Sequence, residues 1–238
     1  MLLPIADRRW EPGAPEEGWC GETSIQLAAG WYGAYVSQKK VNELGHPKTP
    51  DLWEHDVPVA LAAMHLNFER GPQKRADALK WVVEQLRLSR PVVLGVKLIP
   101  TEHPEWKVDH LVLAVGFSPE GLVIDTNAEE GQITVSWAGL QRAEGDQGYS
   151  LVSQSGEVFA FSISGFERPS PTPVRVQITE DSMIEVTMPI MLTGAHYELL
   201  RGDEVLEEFG AKSTKRTWRF EMPSEGFARF SARGAAPK

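Results

Sequence analysis

The sequence predicts an α+β fold followed by an all-β tail, and three observations carry that reading. From Cys20 to about Leu88 the apolar residues recur at helical spacing, as in Leu79, Val82, Val83 and Leu86, which fall at i, i+3, i+4 and i+7. From Pro91 to Ile163 the pattern changes to short β-branched runs separated by turn residues. From Val174 onward nearly every segment alternates apolar and polar residues, as a half-buried strand does. Helices first and an antiparallel sheet second is the order of an α+β domain.

Taken in order, the first helix is predicted to start at Cys20, after Gly18, and to run through Thr23-Ser24-Ile25-Gln26-Leu27-Ala28-Ala29 to the punctuation at Gly30 and Gly33. Pro91 closes the helical half. Val92 to Leu98 and His110 to Phe117 read as strands. Ser118-Pro119-Glu120-Gly121 is a tight turn, and Leu122-Val123-Ile124-Asp125 returns. Gln132 to Trp137 and Val158 to Ile163 add strands, and polar, glycine-rich Gln147 to Ser155 has no clear pattern. The proline-rich segment 168–173 reads as a linker between a first domain, 1–167, and a second, 174–238. The second has the alternation of a small β-sandwich of roughly five strands. Arg201-Gly202-Asp203 sits between two of them, where a hairpin turn belongs.

A formal net charge of -9 argues against a nucleic-acid partner or an anionic membrane surface, since both need a basic face. No apolar stretch approaches the length of a membrane-spanning helix. Met1 to Ile5 is too short, and too soon followed by Asp7-Arg8-Arg9, to act as a secretory signal. The single cysteine makes no internal disulfide and fits a reducing compartment, which slightly favours the cytoplasm.

That cysteine is the residue to which chemistry attaches. Cys20 lies between glycines where a helix begins, and the positive end of a helix dipole stabilises a thiolate. Glu17 and Glu22 nearby oppose this. A cysteine nucleophile needs a base, and among six histidines His110 stands out because it opens an apolar strand after a polar loop. The paired strand ends at Asp125-Thr126-Asn127, so a hairpin brings Asp125 or Asn127 back beside His110 to hold its imidazole. Asp109 should face away, because side chains alternate on a strand.

The run Gly18-Trp19-Cys20-Gly21-Glu22-Thr23-Ser24-Ile25-Gln26, with Tyr32-Gly33 and Val36-Ser37-Gln38, resembles the nucleophile helix of the peptidase C39-like family of papain-like proteins. The run from Pro91 to Asn127 is similar to that family's histidine hairpin. The resemblance covers about Leu3 to Ile163. It implies a papain-like domain that hydrolyses peptide or amide bonds of a peptide or protein substrate, with Cys20 as nucleophile, His110 as base and Asp125 as orienting residue, and no cofactor. The family also places a glutamine upstream of the cysteine as an oxyanion donor. Ala14 holds that position here and no glutamine precedes Cys20. The backbone N–H of Cys20 and the indole of Trp10 are the candidate substitutes, with Asn127 a further candidate for orientation or oxyanion binding.

Two other readings use the same residues. A papain-like scaffold can serve as a non-catalytic peptide- or protein-binding module, which the absent glutamine favours. A transglutaminase-like acyl transferase also orders its residues Cys, His, Asp, although Gly-Glu-Thr-Ser after Cys20 fits the C39-like pattern better. Glu102-His103 with Asp109-His110 matches no standard zinc spacing, so no metal is expected. Trp19, Trp31 and Trp53 are candidates for a substrate groove or for core packing.

Overall fold

In a computed structural model of the chain, residues 1–6, 18–99, 108–128, 131–142, 148–151 and 157–236 are described. Trp10, Ala14 and His103 lie outside them.

Among the described residues of the first half there are four α-helices: α1 (Cys20–Trp31), α2 (Gln38–Gly45), α3 (Val57–Ala63) and α4 (Arg75–Arg87). The helical stretch expected between Cys20 and Leu88 is interrupted twice, by β1 (Ala34–Val36) and β2 (Leu66–Arg70). Both are too short for their own periodicity to announce them; tertiary pairing makes them strands. In α4 the buried residues are Ala78, Val82, Gln85 and Leu86, so the inward face holds Val82 and Leu86 of the stripe read from spacing, while Leu79 and Val83 are half-buried at its edge.

Then come β3 (Val92–Ile99), β4 (His110–Phe117), β5 (Gly121–Asp125), β6 (Ile133–Ser136), β7 (Gly148–Ser150) and β8 (Ala160–Phe166). With β2 they form one sheet in the order β2-β8-β3-β4-β5-β6, with β7 paired to the far end of β3. Every pairing in it is antiparallel. The centre of β4 is buried on both faces, Leu111 to Val115. α1 packs against it and is itself buried on nearly every side, including Gly21, Ala28 and Ala29.

The tail holds β9 (Arg175–Ile178), β10 (Met183–Met188), β11 (His196–Arg201), β12 (Glu204–Gly210), β13 (Arg216–Glu221) and β14 (Phe227–Ala235). They make two antiparallel sheets, β13-β10-β9 and β1-β14-β11-β12, around a core of Ile184, Val186, Met188, Leu199 and Phe230. Gly202, in its left-handed conformation, turns the chain between β11 and β12. One sandwich strand, β1, is contributed by the segment that precedes the expected boundary. Its Ala34 and Val36 belong to the core of the α+β part and its Tyr35 to the sandwich core. The segment read as a linker is itself hydrogen-bonded: Thr172 N–H donates to Ala232 O, and Ser170 Oγ accepts from Ala232 N–H. The two parts are joined further by Arg175, whose guanidinium lies 3.6 Å from the Trp31 ring centroid. Gly30 of α1 approaches β9 so closely that a Cβ there would collide with the Val176 carbonyl oxygen.

Candidate active site

Cys20 is the first residue of α1, half-buried, and its sulfur accepts a hydrogen bond from Leu111 N–H at 3.3 Å. The β4–β5 ladder extends only as far as Leu113 paired with Asp125. Beyond it the thiol stands in for a strand partner of Leu111. The approach to the helix is a sharp turn, with Gly18 at φ 85 and Trp19 at φ 56, both left-handed. For tryptophan that conformation costs about 1–2 kcal/mol, and three contacts hold it. Trp19 N–H donates to Asp51 Oδ1 at 3.3 Å, its indole N–H to Pro50 O at 3.1 Å, and Asn127 Nδ2 donates to Gly18 O at 2.6 Å. Asn127, a candidate for orientation or oxyanion binding, therefore fastens the end of the histidine hairpin to the turn before the cysteine, and that bond uses one of its two amide N–H donors.

His110 opens β4 and is buried. Its Nε2 is 2.6 Å from Thr126 Oγ1, and its ring centroid is 6.1 Å from that of Tyr149. Asp125, expected beside the imidazole, accepts a hydrogen bond from Gln132 Nε2 at 3.3 Å, while the imidazole Nε2 meets Thr126. A β-bulge is the reason. Between Ala114 and Gly116 the β4–β5 register shifts by one residue, so Asp125 pairs with Leu113. In the unshifted register it would pair with Ala114, which lies on the same face as His110. A one-residue slip exchanges the two faces of a strand, and Thr126 takes the place next to the histidine. Asp109 faces away, as expected, and forms a buried ion pair with Lys97 Nζ at 3.1 Å while accepting Leu98 N–H at 2.8 Å.

The electrostatics differ from the expected activated thiol. Burial pushes the Cys20 thiol up to about 12, with Glu22 and Asp51 adding to the shift, against the Leu111 and Gly21 N–H groups. A rise of three units above its ordinary 9.0 is roughly 4 kcal/mol, whereas a helix dipole contributes about 0.3–1 kcal/mol, so desolvation wins. Burial likewise lowers His110 to about 4, opposed by Asp109. At neutral pH the pair rests as thiol and neutral imidazole, not as thiolate and imidazolium, and no hydrogen bond joins them among the described residues.

The sequence drew attention to Glu22 only as a neighbouring charge, and the structure gives it a larger part. It is fully buried two residues into α1. Its Oε1 accepts from Asn42 Nδ2 at 2.7 Å and from Leu52 N–H at 2.9 Å, while Oε2 has no hydrogen-bond partner among the described residues. Asn42 also donates to Pro50 O at 2.8 Å, so Glu22 anchors the 50–52 loop that carries Asp51. Burial raises its carboxyl to about 7. Of the tryptophans, Trp19 and the exposed Trp53 stand near this loop. Trp31 is buried at the opposite end of α1, about 16 Å along the helix. Among the described residues no three His, Cys, Asp or Glu side chains converge as metal ligands, and no helix is long and apolar enough to cross a membrane.

Fold and site together define an α+β chain with a cysteine at the N-terminus of a buried helix, hydrogen-bonded to the start of a histidine-led hairpin. No family model matches the chain, and no curated protein matches it. Among solved structures it is similar to one described as "an putative C39-like peptidase from Bacillus anthracis", with a TM-score of 0.50 and 12% identity, covering 71% of this chain and 98% of that one. At that identity the likeness is one of fold, a distant relationship.

Proposed function

We propose that this chain is a papain-like cysteine hydrolase of peptide or amide bonds, with Cys20 as nucleophile and His110 as general base. The observation that supports it most is the Leu111 N–H···Sγ hydrogen bond, which ties the first residue of a helix to the residue after the histidine. The distant C39-like fold neighbour supports the same reading.

Since thiol and imidazole rest neutral, the base acts during attack and not before it. Thr126 Oγ1 already accepts from Ala128 N–H at 3.2 Å and has a second lone pair for an Nε2–H of His110. That tautomer leaves Nδ1 with its lone pair. His110 takes the Cys20 proton as the sulfur–carbon bond forms, with developing negative charge on the sulfur met by the Leu111 N–H. It then returns the proton to the leaving amine as the C–N bond breaks. Water, deprotonated by the same imidazole, hydrolyses the thioester and regenerates the thiol. Thr126 is the positioning residue for the imidazole in this scheme.

The neutral pair also favours a second reading, a non-catalytic peptide- or protein-binding module. Digestion of a diverse peptide mixture by wild type, Cys20→Ser and His110→Ala separates them. The hydrolase reading expects defined new peptide termini with wild type and none with either variant. Cleavage that persists in Cys20→Ser, or no cleavage by folded wild type across the mixture, overturns it; peptides retained intact by all three would then identify the binding module.

A further inference from the structure

A cavity of about 400 Å³ lies between the second half of α1, the N-terminal segment and the outer face of β9 and β10. It opens at the end of α1 far from Cys20, so it is separate from the candidate active site. Its volume is within the range of small-molecule sites. One feature of its wall calls for a ligand. Arg175 lies over the Trp31 ring at 3.6 Å, and among the described residues its one hydrogen bond runs from Nη1 to Val174 O at 3.1 Å. Among the described residues it forms no ion pair. Burial lowers its pKa, opposed only by the Tyr32 hydroxyl. Glu185 on the neighbouring strand forms no ion pair with it among the described residues, and one of its carboxylate oxygens accepts from Gln177 Nε2 at 2.7 Å. A partly desolvated guanidinium with unused donors is costly unless an anion completes it, and its planar fork fits a carboxylate. Lys215 adds a second cation, and Leu27 and the 66% exposed Ile190 supply apolar wall. Glu185 holds the net charge of the wall low, which disfavours polyanions such as phosphates.

We propose that this cavity binds a small amphiphilic carboxylate, its carboxylate paired with Arg175 and its apolar part against Leu27 and Ile190. Such a group is found both at a peptide C-terminus and in a free medium-chain acid.

The test is calorimetric titration of the full chain with N-acetyl-leucine, decanoate, N-acetylleucinamide and inorganic phosphate. At least one of the two carboxylates should bind at one site at about 1 mM or tighter, and the neutral amide roughly tenfold more weakly or not at all. Preference for N-acetyl-leucine identifies the peptide C-terminus as the source, and preference for decanoate the free acid. Arg175→Met should weaken carboxylate binding roughly tenfold or more, Lys215→Ala a few-fold, and Cys20→Ser not at all. Because Arg175 also bridges the two halves of the molecule, the acid-against-amide comparison on wild type stands without that variant. Equal binding of acid and amide, preference for phosphate, or no saturable binding of either carboxylate to wild type overturns the proposal.

Discussion

Replacing Glu22 with glutamine isolates the energetic consequence of a carboxyl group buried beside the candidate nucleophile. Its pKa is raised from 4.5 to about 7, chiefly by burial. Two and a half units correspond to roughly 3 kcal/mol, and the side chain has no exposure to discount it. Between these two pH values the folded chain holds a proton on Glu22 that the unfolded chain has released. The folded state binds more protons, so stability falls as pH rises through this window. His110 acts in the opposite sense. Its pKa is lowered from 6.5 to about 4, so there the unfolded chain binds the extra proton and stability rises with pH by a similar amount. In wild type the two slopes largely cancel between about pH 4.5 and 6.5. Glu22→Gln keeps an acceptor for Asn42 and Leu52 and places an NH₂ where Oε2 has no hydrogen-bond partner among the described residues. That adds a pH-independent penalty of about 1–3 kcal/mol. The informative quantity is therefore the change in ΔΔG with pH. Urea denaturation of both proteins at about pH 4 and pH 8 should show the variant gaining roughly 3 kcal/mol on wild type as pH rises. A ΔΔG constant to within about 0.5 kcal/mol would refute the reasoning that burial, rather than compensation by neighbours, controls this carboxyl.

Iodoacetamide should alkylate native Cys20 slowly at about pH 8, on the order of a thousandfold below the urea-unfolded chain, with a rate still climbing above pH 9; a plateau near pH 8 would show that burial does not govern the thiol. Glu22→Gln should speed that alkylation, because Glu22 is one of the charges that raise the thiol pKa. In the hydrolase reading, Thr126→Val should lower kcat/KM roughly tenfold and shift the His110 imidazole NMR signals, whereas Asp125→Asn should leave those signals in place; the reverse order would return Asp125 to the imidazole. Gly30→Ala should destabilise by about 1–3 kcal/mol in urea unfolding, although alanine is the better helix former, because its Cβ meets the Val176 carbonyl.

The α+β class and the helix α4 were legible in the sequence, because they depend on periodicity, a local property; the inward face of α4 was legible at Val82 and Leu86, whereas packing decided that Ala78 and Gln85 complete it. So were the start of α1 at Cys20 and that of β4 at His110, marked by glycines and by a change from polar loop to apolar run. The short strands β1 and β2 were not, since three to five residues carry no usable period and their partners lie far away in the chain. β1 shows the consequence: the sandwich begins with a strand drawn from residue 34, across a boundary that composition placed near 168. At the site, residue spacing brought His110 and the end of β5 together, but the bulge between Ala114 and Gly116 decided which side chain meets the imidazole. A bulge adds one residue without a distinctive sequence mark, and one residue is enough to exchange Asp125 for Thr126. The charge states followed the same rule. The sequence supplied a helix dipole and two nearby acids, whereas the depth of burial of Cys20, Glu22 and His110, which outweighs the dipole, exists only once α1, the 50–52 loop and β4 have packed together.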